Sequence, residues 1–337
     1  MNNKKTATAY FVELYKAIAP FFILFLILPS SFFICEAQAA SPYDNPDTII
    51  VARDGTGQFR TVEEAVEVCR AFMEYHKVIF IKRGIYKEKL IIPQWLTNIE
   101  LCGEDRDQTV ITYDDHANIN KMGTFRTYTL KIEGNNITLK NITIENNAAR
   151  LGQAVALHTE GDCLKFINCR FLGHQDTVYT GTAGTRLFFK DCYIEGTTDF
   201  IFGPATAWFE HCDIFCKADS YITAASTPQS ERYGYVFNDC RITASPDVKQ
   251  VYLGRPWRDY GYTLFMNCDL CSAIRPEGWH HWEEHREQTA RYAEYNNRGE
   301  GAATTNRVPW SHQLTQKEAS KITPEAVFSI QSTWSPQ

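Results

Sequence analysis

Phe189-Lys190-Asp191-Cys192-Tyr193-Ile194 is one copy of a hexapeptide that recurs through the middle of this chain. Its template is an apolar residue, any residue, a polar residue, Cys, a polar residue and an apolar residue. Further copies occupy residues 139–144, 166–171, 209–214, 237–242 and 265–270, with Ile in place of Cys in the first of these. Successive Cys-type positions lie 27, 23, 20, 28 and 28 residues apart. The near-alternation of apolar and polar residues predicts that each copy is a short β-strand with one face turned inward.

A repeat of this length is typical of a solenoid, in which each strand stacks on its equivalent in the next coil. We therefore predict an all-β solenoid that forms one elongated domain. A β-sandwich with coincidental spacing is the alternative. Neighbouring parallel rungs of a solenoid lie about 4.8 Å apart. Groups that are distant in sequence but one coil apart can therefore meet on one face.

Three polar residues follow a similar period. Gln153, Asp176 and Asp199 are separated by 23 residues each, and each lies in a short motif that begins with Gly. Equal spacing predicts that the two carboxyl groups and the amide stack and form one site. The alternative is that each Asp only ends a strand or caps a turn.

Two carboxyl groups one coil apart can divide the work of nucleophilic catalysis. An ionised carboxylate attacks an electrophile, while its neighbour, kept protonated by the first charge, donates a proton to the leaving group. Amides such as those of Gln153 and Gln175 can donate hydrogen bonds to a developing oxyanion. Arg255 can hold the attacking carboxylate ionised through a charge-assisted contact. Trp257 offers a flat apolar surface on which a sugar ring can stack.

The length and composition allow one large domain or two small ones, of which the repeat favours one elongated domain, and they argue against a nucleic-acid partner. The chain has 337 residues, 44% of them hydrophobic, and a formal net charge of −6. Dense runs of Lys and Arg are absent, so the sequence offers no basic patch suited to nucleic acid.

The first 39 residues match a secretory signal peptide. Three lysines precede an uncharged run over residues 17–35, and Ala37-Gln38-Ala39 fits the small-residue cleavage pattern. A membrane anchor is the alternative, because 19 uncharged residues approach spanning length. We predict cleavage, with residues 40–337 forming a single domain that is secreted or held in the cell envelope. This domain is expected to be a monomer without stable membrane insertion.

Ten cysteines follow residue 39. An even number in an exported protein allows disulfide bonds. Five of them occupy the Cys position of the repeat, where a small apolar side chain would fill the solenoid interior, and we predict that most are buried thiols. The pairs Cys212/Cys216 and Cys268/Cys271 are spaced as zinc ligands can be, but each pair begins with a repeat position, and no metal site is expected.

The N-terminal end of the solenoid is predicted to be covered by a helix. Thr61 and Glu64 match a capping box. One face of the helix that follows is apolar, and covering the open end would protect the terminal edge of the sheet. The residues on this face are Val62, Ala65, Val66, Cys69, Phe72 and Met73.

The remaining segments complete the predicted order of elements. Strands are expected at residues 47–51 and 78–81, with a turn at 84–88 and coils to about residue 270. The polar and aromatic segment 278–307 is predicted as a loop in which His280, His281 and His285 are solvated. Residues 315–326 are predicted as a helical tail packed along the outside of the solenoid.

The motifs of this chain resemble those of the pectin methylesterases, a family of carbohydrate esterases. The resemblance covers nearly all of the chain after residue 40. It is carried by residues 51–62, Gly84-x-Tyr86-x-Glu88, residues 152–157, Gln175-Asp176-Thr177, residues 196–203, residues 253–257, residues 294–297 and Arg307-Val308-x-Trp310. The resemblance implies a right-handed parallel β-helix and hydrolysis of the C6 methyl esters of polygalacturonate, with methyl-esterified homogalacturonan (pectin) as the partner.

Roles for individual residues also follow from the resemblance. Asp199 is expected to be the nucleophile, and Asp176 the general acid and then the general base. Gln153 and Gln175 are expected to form the oxyanion hole, with Arg255 orienting Asp199. The residues expected to contact substrate are Trp257, Thr127, Phe202 and Tyr179. Neither a cofactor nor a metal is implied.

Some positions depart from the family's pattern. His158 stands where many members have Arg, His174 where many have Tyr, and Thr198 where Val is frequent. Thr127-Tyr128 takes the place of the usual small residues. None of these changes removes a catalytic group, but His174 and Tyr128 are expected to alter how methyl-rich and methyl-poor sugars sit.

Other solenoid enzymes act on the same polymer. A lyase would need carboxylates arranged for Ca²⁺ and a basic residue to abstract a proton. A hydrolase of the galacturonan backbone would use Asn-Thr-Asp and Gly-Asp-Asp segments, which this sequence lacks. A non-enzymatic solenoid adhesin would not require Arg255 alongside the paired Asp and Gln residues. The closest alternative is an envelope-associated esterase of the same fold that acts on a different ester.

Two tripeptides match the acceptor pattern for N-glycosylation. Asn136-Ile137-Thr138 and Asn141-Ile142-Thr143 are acceptor sites where the host glycosylates such sequences.

Overall fold

Parallel strands form three sheets, and the chain passes from one sheet to the next in a repeating order. This architecture comes from a computed structural model that describes residues 48–329 and 334–336. The strands of each sheet pair only with strands from neighbouring coils, and every pairing is parallel. The predicted solenoid of parallel strands, a β-helix, is therefore confirmed.

The strands are named in chain order and grouped here by sheet. Sheet A contains β1 (Thr48–Val51), β2 (Lys77–Ile81), β5 (Ile99–Gly103), β8 (Thr138–Lys140), β11 (Leu164–Ile167), β14 (Arg186–Lys190), β17 (Thr206–Glu210), β20 (Tyr235–Asn238), β23 (Tyr262–Met266), β25 (Arg291–Tyr295) and β26 (His312–Gln313). Sheet B contains β3 (Gly84–Lys87), β6 (Thr109–Tyr113), β9 (Thr143–Asn146), β12 (Arg170–Leu172), β15 (Tyr193–Gly196), β18 (Asp213–Cys216), β21 (Arg241–Ala244) and β24 (Asp269–Leu270). Sheet C contains β4 (Leu90–Ile92), β7 (Leu130–Ile132), β10 (Leu157–Thr159), β13 (Val178–Thr180), β16 (Ile201–Gly203), β19 (Tyr221–Ala225) and β22 (Tyr252–Gly254).

The recurring hexapeptide is a corner between two sheets, and the prediction that it forms one strand was wrong. Phe189 and Lys190 end β14 of sheet A, whereas Tyr193 begins β15 of sheet B. Asp191 between them has a φ of 54°, in the left-handed region. The same conformation occurs at the equivalent positions Asn141, Asn168, His211, Asp239 and Asn267. Asn, Asp and His tolerate this region better than most residues, which explains why the third position of the template is polar.

A column of phenylalanine rings runs through the interior of the coils. Successive ring centroids in this column lie 4.4, 4.6, 4.3 and 4.3 Å apart, and the rings are nearly parallel. All five side chains are fully buried. The members are Phe166, Phe189, Phe209, Phe237 and Phe265.

The repeated cysteines form a second buried column. From Cys192 onward, each of these thiols donates to the carbonyl of the phenylalanine one coil earlier: Cys192 to Phe166 at 3.3 Å, and Cys268 to Phe237 at 3.5 Å. All ten described cysteines are free, eight of them are buried, and Cys102 and Cys271 are half-buried. The prediction of buried thiols is therefore confirmed, and the contact with a neighbouring coil explains why a weak donor occupies this position.

A short helix covers the N-terminal end of the solenoid. Helix α1 (Val62–Glu67) begins with the predicted capping box between Thr61 and Glu64. The Glu88 carboxylate also accepts from the backbone N–H of Val62 at 2.9 Å, which ties the helix to the first coil. The predicted apolar face extended too far, because the helix ends at Glu67 and Phe72 lies beyond it with its side chain 76% exposed.

Two other predicted boundaries need correction. Residues 84–87 form strand β3 rather than a turn, because they pair with β6 in the sheet B ladder. The coils also extend past residue 270, since β25 pairs with β23 within a segment predicted as a loop. A buried ion pair supports this last coil: Arg307 Nε lies 2.8 Å from Glu294 Oε1, and both side chains are almost inaccessible.

The C-terminal tail packs on the outside of sheet A, as predicted. It forms helices α2 (Gln316–Ala319) and α3 (Pro324–Phe328). Val327 and Phe328 are buried against the outward-facing side chains of Trp208, Val236 and Leu264. In the described residues, no helix is long and apolar enough to cross a membrane. The predicted signal peptide, residues 1–39, lies outside the described residues.

The phenylalanine column should contribute strongly to stability. Phe209 stacks between Phe189 and Phe237, so Phe209→Ala leaves a cavity between two rings. We expect the free energy of unfolding to fall by about 3–5 kcal/mol, measured by denaturant titration. Phe72→Ala is the matched control, and its effect should stay within about 0.5 kcal/mol because the side chain is exposed. Equal losses in the two variants would contradict this account of the column.

Candidate active site

Asp176 and Asp199 stand one coil apart, just before two paired strands of sheet C. Val178 of β13 lies opposite Ile201 of β16, so the two aspartates, each two residues earlier, are in phase. Asp176 N–H donates to the Thr198 carbonyl at 3.0 Å, which continues the ladder up to the site. Both aspartates have left-handed backbone conformations, with φ of 67° and 50°. The corner that precedes the strands therefore presents both side chains at the same edge.

Gln153 reaches the site without being in phase with the aspartates. Leu157 of β10 pairs with Val178, so Val155 rather than Gln153 is the residue that corresponds to Asp176. Gln153 nevertheless lines the same cavity as the aspartates. The equal spacing of 23 residues thus describes the register of Asp176 and Asp199 only. The position of Gln153 depends on the path of the chain before β10.

Arg255 holds Asp199 through a two-pronged contact. Its Nε donates to Oδ1 at 3.0 Å and its Nη2 donates to Oδ2 at 2.6 Å. Burial raises the pKa of Asp199 above its ordinary value, and the Arg255 guanidinium opposes that rise. A charge-assisted, bidentate contact of this kind fixes the orientation of the carboxylate and favours its ionised form.

Asp176 has a different environment. Its side chain makes no hydrogen bond with any of the described residues. Burial raises the pKa of Asp176 well above its ordinary value, and the negative charge of Asp199 raises it further. The site therefore separates the two acids: Asp199 loses its proton first, and Asp176 retains its proton to higher pH.

Aromatic rings cover both faces of the Arg255 guanidinium. Its central carbon lies 3.9 Å from the centroid of the Tyr221 ring and 3.8 Å from that of Trp282. Tyr221 stacks in turn on Tyr252, with ring centroids 5.2 Å apart. His280 was predicted to be solvated, but it is half-buried and packs edge-on against both tyrosines. The rings of Tyr221 and Trp282 together form an aromatic clamp. Because they cover both faces of the guanidinium, it can hardly move out of the plane in which it contacts Asp199.

The candidate site is a cavity of about 290 Å³. The predicted residues that line it are Gln153, Gln175, Asp176, Asp199, Phe202, Arg255 and Trp257. The lining residues that sequence reasoning missed are Thr124, Phe125, Ala224 and Trp282. The available signal for Trp282 was the aromatic content of the segment 278–307. Phe125 gave no periodic signal because it lies in a short 3₁₀ turn, Thr124–Arg126.

Two residues predicted to contact substrate do not line this cavity. Thr127 is fully buried, donates from its hydroxyl to the Thr124 carbonyl at 2.7 Å and accepts from Val155 N–H at 2.9 Å. It therefore supports the Phe125 turn and has no surface to offer a polymer, which corrects the prediction. Tyr179 is half-buried and packs against two lining residues, with its ring centroid 4.8 Å from those of Phe125 and Phe202.

The two unusual histidines flank the site as neutral side chains. Burial, with the nearby Lys131 ammonium, lowers the pKa of His158 to about 4. Its ring packs edge-on against Tyr179, with ring centroids 4.8 Å apart, and Tyr179 in turn contacts the lining residues Phe125 and Phe202. Burial, with the charges of Lys217 and Arg150, likewise lowers the pKa of His174 to about 4. The predicted effect of His174 on sugar binding stays a prediction.

Metal ligands were not expected, and the described residues contain no group of three or more His, Cys, Asp or Glu side chains that could hold a metal ion. The polar groups that line the cavity include the acid pair, the amides of Gln153 and Gln175, and the Arg255 guanidinium.

Comparison with known proteins identifies the family of this chain. The sequence pattern of the family described as Pectinesterase matches residues 48–331. The chain belongs to the pectinesterase family. Members of this family are carboxylic ester hydrolases, so the family and the enzyme class inferred from the motifs are confirmed.

Individual relatives agree with the family assignment. Pectinesterase 31 of Arabidopsis thaliana is 38% identical over 281 residues, which cover 80% of this chain and 88% of the relative. Several other curated pectinesterases are longer proteins, and the chain spans only about half of their length. The solved structure of a pectin methylesterase from carrot has a TM-score of 0.80 and 34% identity, and the match covers 83% of this chain and 92% of that one. A pectin methylesterase solved with a bound hexasaccharide has a TM-score of 0.74 and 28% identity, covering 86% of this chain and 98% of that one.

The aromatic clamp generates a prediction about Arg255. Trp282→Ala should lower kcat about tenfold, because a desolvated cation–π contact contributes about 1–2 kcal/mol and each 1.4 kcal/mol corresponds to tenfold in rate. Trp282→Phe should recover most of the loss, since it restores an aromatic face. Steady-state kinetics on methylated pectin separate this role from sugar binding. A change confined to KM would mean that the indole contacts the polymer and does not support Arg255.

Proposed function

We propose that this protein hydrolyses the methyl esters of polygalacturonate in pectin, releasing methanol and leaving free carboxylates on the polymer. One observation carries the proposal beyond family membership. Asp199 and Asp176 lie one coil apart at the same cavity, and only Asp199 is bound by a guanidinium. This asymmetry supplies both an ionised nucleophile and a protonated acid, which ester hydrolysis through a covalent intermediate requires.

In the proposed first half-reaction, a carboxylate oxygen of Asp199 attacks the carbonyl carbon of the C6 methyl ester. Negative charge develops on the carbonyl oxygen, where the side-chain amides of Gln153 and Gln175 donate hydrogen bonds. The bond between the carbonyl carbon and the methoxy oxygen then breaks. Asp176 gives its proton to the methoxy oxygen, so that methanol leaves and Asp199 is joined to the sugar as an acyl-enzyme.

The second half-reaction regenerates the site with water. Asp176, now ionised, takes a proton from a water molecule as the water attacks the acyl carbon. The bond to Asp199 breaks, which returns Asp199 as a carboxylate paired with Arg255 and leaves Asp176 protonated. The same acid pair therefore completes the cycle without another proton donor.

The walls of the cavity suit a sugar polymer. Trp257, Phe125 and Phe202 place aromatic surface around the acid pair, with ring centroids of Trp257 and Phe202 5.9 Å apart. Such surfaces stack on the apolar faces of sugar rings. Buried Arg286 donates to the Pro256 and Trp257 carbonyls at 3.0 and 2.9 Å, which fixes the segment that carries Trp257.

The proposed function also requires that the protein is exported. Residues 1–39 act as a cleaved signal peptide, and residues 40–337 act as one monomeric domain, secreted or in the cell envelope, where pectin is found. The support is the charged, apolar and small-residue order of residues 1–39. N-terminal sequencing of the exported protein tests this boundary, and an N-terminus other than Ala40 or its neighbours would contradict it.

Removing the nucleophile should abolish methanol release. Asp199→Asn keeps a side chain that tolerates left-handed backbone, but the amide cannot attack the ester, and kcat should fall by at least about 10³-fold. Asp191→Asn is the matched control, because Asp191 is an exposed corner residue with a similar φ of 54°. Methanol release and chain length should be followed on one methylated pectin. Substantial methanol release by Asp199→Asn would show that Asp199 is not the nucleophile, whereas chain cleavage by the parent would contradict the proposed esterase activity itself.

The acid pair predicts a bell-shaped pH profile. Turnover needs Asp199 ionised and Asp176 protonated, so kcat/KM should rise through the pKa of Asp199 and fall through that of Asp176. Because burial raises both above the ordinary value of 3.8, the acid limb lies above pH 3.8 and the alkaline limb lies higher still. The residual activity of Asp176→Asn should lose the alkaline limb. Superimposable profiles for parent and variant would exclude Asp176 as the general acid.

A further inference from the structure

The two acceptor sequences for N-glycosylation lie on opposite sides of strand β8. Asn136 precedes the strand in the turn that follows β7 of sheet C, whereas Asn141 follows it at the corner between sheets A and B. Both tripeptides match the acceptor pattern equally well in sequence, but their surroundings in the structure differ.

Asn136 has the surroundings of an acceptor. Its side chain is exposed, and it forms no hydrogen bond with any of the described residues. It borders a cavity of about 680 Å³ on the outer face of sheet A, together with Thr138, Lys165 and Trp334. This cavity provides space, polar partners and an aromatic surface for the first sugars of a glycan.

The side chain of Asn141 forms a hydrogen bond that joins two neighbouring coils. Its Oδ1 accepts from Asn168 Nδ2 at 2.8 Å, and Asn168 Oδ1 accepts from Arg106 Nη1 at 3.1 Å. The backbone carbonyl of Asn141 also lies so close to Gly103 that a Cβ there would approach it to 2.1 Å, so the backbone at this corner is tightly packed. Thr143, the third residue of the sequon, is buried and donates from its hydroxyl to the Arg106 carbonyl at 2.6 Å. A sugar on Asn141 would have to displace this packing.

We propose that Asn136 is an N-glycosylation site and that Asn141 is left unmodified in the folded protein. The donor would be an oligosaccharide linked to a lipid pyrophosphate in the export pathway. The Asn136 amide nitrogen forms a bond to the anomeric carbon of the first sugar while the bond from that carbon to the pyrophosphate oxygen breaks. The lipid pyrophosphate leaves, and the amide proton passes to a base of the transferase.

The position of Asn136 separates the glycan from the chemistry. Asp176 and Asp199 lie at the corner before the sheet C strands, whereas Asn136 follows the other end of such a strand. The glycan therefore does not contribute to the acid pair, and the Asn136→Gln variant should turn over methylated pectin at the parent rate. A failure of the proposed esterase activity would consequently leave the glycosylation proposal standing, and the reverse also holds.

Trypsin provides a direct test because Lys140 lies between the two sequons. Cleavage after Lys131, Lys140 and Arg150 puts Asn136 on peptide 132–140 and Asn141 on peptide 141–150. The full chain, preceded by an export signal of a glycosylating insect-cell host, is purified from the medium. Enzymatic release of N-glycans in water labelled with ¹⁸O converts each glycosylated Asn to labelled Asp, which mass spectrometry assigns to one peptide.

We expect the label on peptide 132–140 and none on peptide 141–150. Asn136→Gln and Thr138→Ala should each lose the label completely. Asn141→Asp, which removes the second sequon but keeps an acceptor oxygen for Asn168, should retain it fully. Label on peptide 141–150, or an unlabelled parent from a host that glycosylates a control protein, would overturn the proposal.

Discussion

The parallel hydrogen bonding between successive coils is the constraint on which the site depends. It is held in register from inside by the phenylalanine column and by thiols that donate to the preceding coil, as Cys192 does to Phe166. A ladder with rungs about 4.8 Å apart forces Asp176 and Asp199 to be neighbours. Two buried carboxyl groups at that separation cannot both ionise easily. The fold alone therefore favours a state in which one of the two carboxyl groups is ionised and the other is protonated.

Arg255 determines which of the two acids is ionised. A half-buried guanidinium such as that of Arg255 is itself unfavourable unless its charge is compensated. Here the Asp199 carboxylate compensates it in plane, and the rings of Tyr221 and Trp282 cover its two faces. Trp282 comes from a segment far along the chain, which buried Arg286 anchors to the Trp257 carbonyl. A segment beyond the predicted end of the coils therefore supports the arginine that binds Asp199.

Sequence reasoning succeeded where a feature repeats and was wrong where a feature occurs once. The solenoid, the Asp176–Asp199 register, the capping box at Thr61 and the buried thiols all follow from local or periodic patterns. The assignment of the hexapeptide to one strand was wrong because alternation does not reveal a left-handed residue such as Asp191. Thr127 and Trp282 were misjudged or missed because burial and long-range stacking are properties of the packed coils and leave no periodic trace.

Some of the motifs that identify the family stabilise the ends of the solenoid, and others supply the residues of the candidate site. A solenoid has two open ends, and an uncovered parallel edge invites pairing with other chains. Glu88 binds the start of helix α1 at one end, and the buried pair of Glu294 and Arg307 holds the last coil at the other. In this chain these motifs stabilise the ends of the solenoid and make no contact with the acid pair. The assignment of an activity therefore depends on Asp199, Asp176 and Arg255, whatever the number of motifs that match.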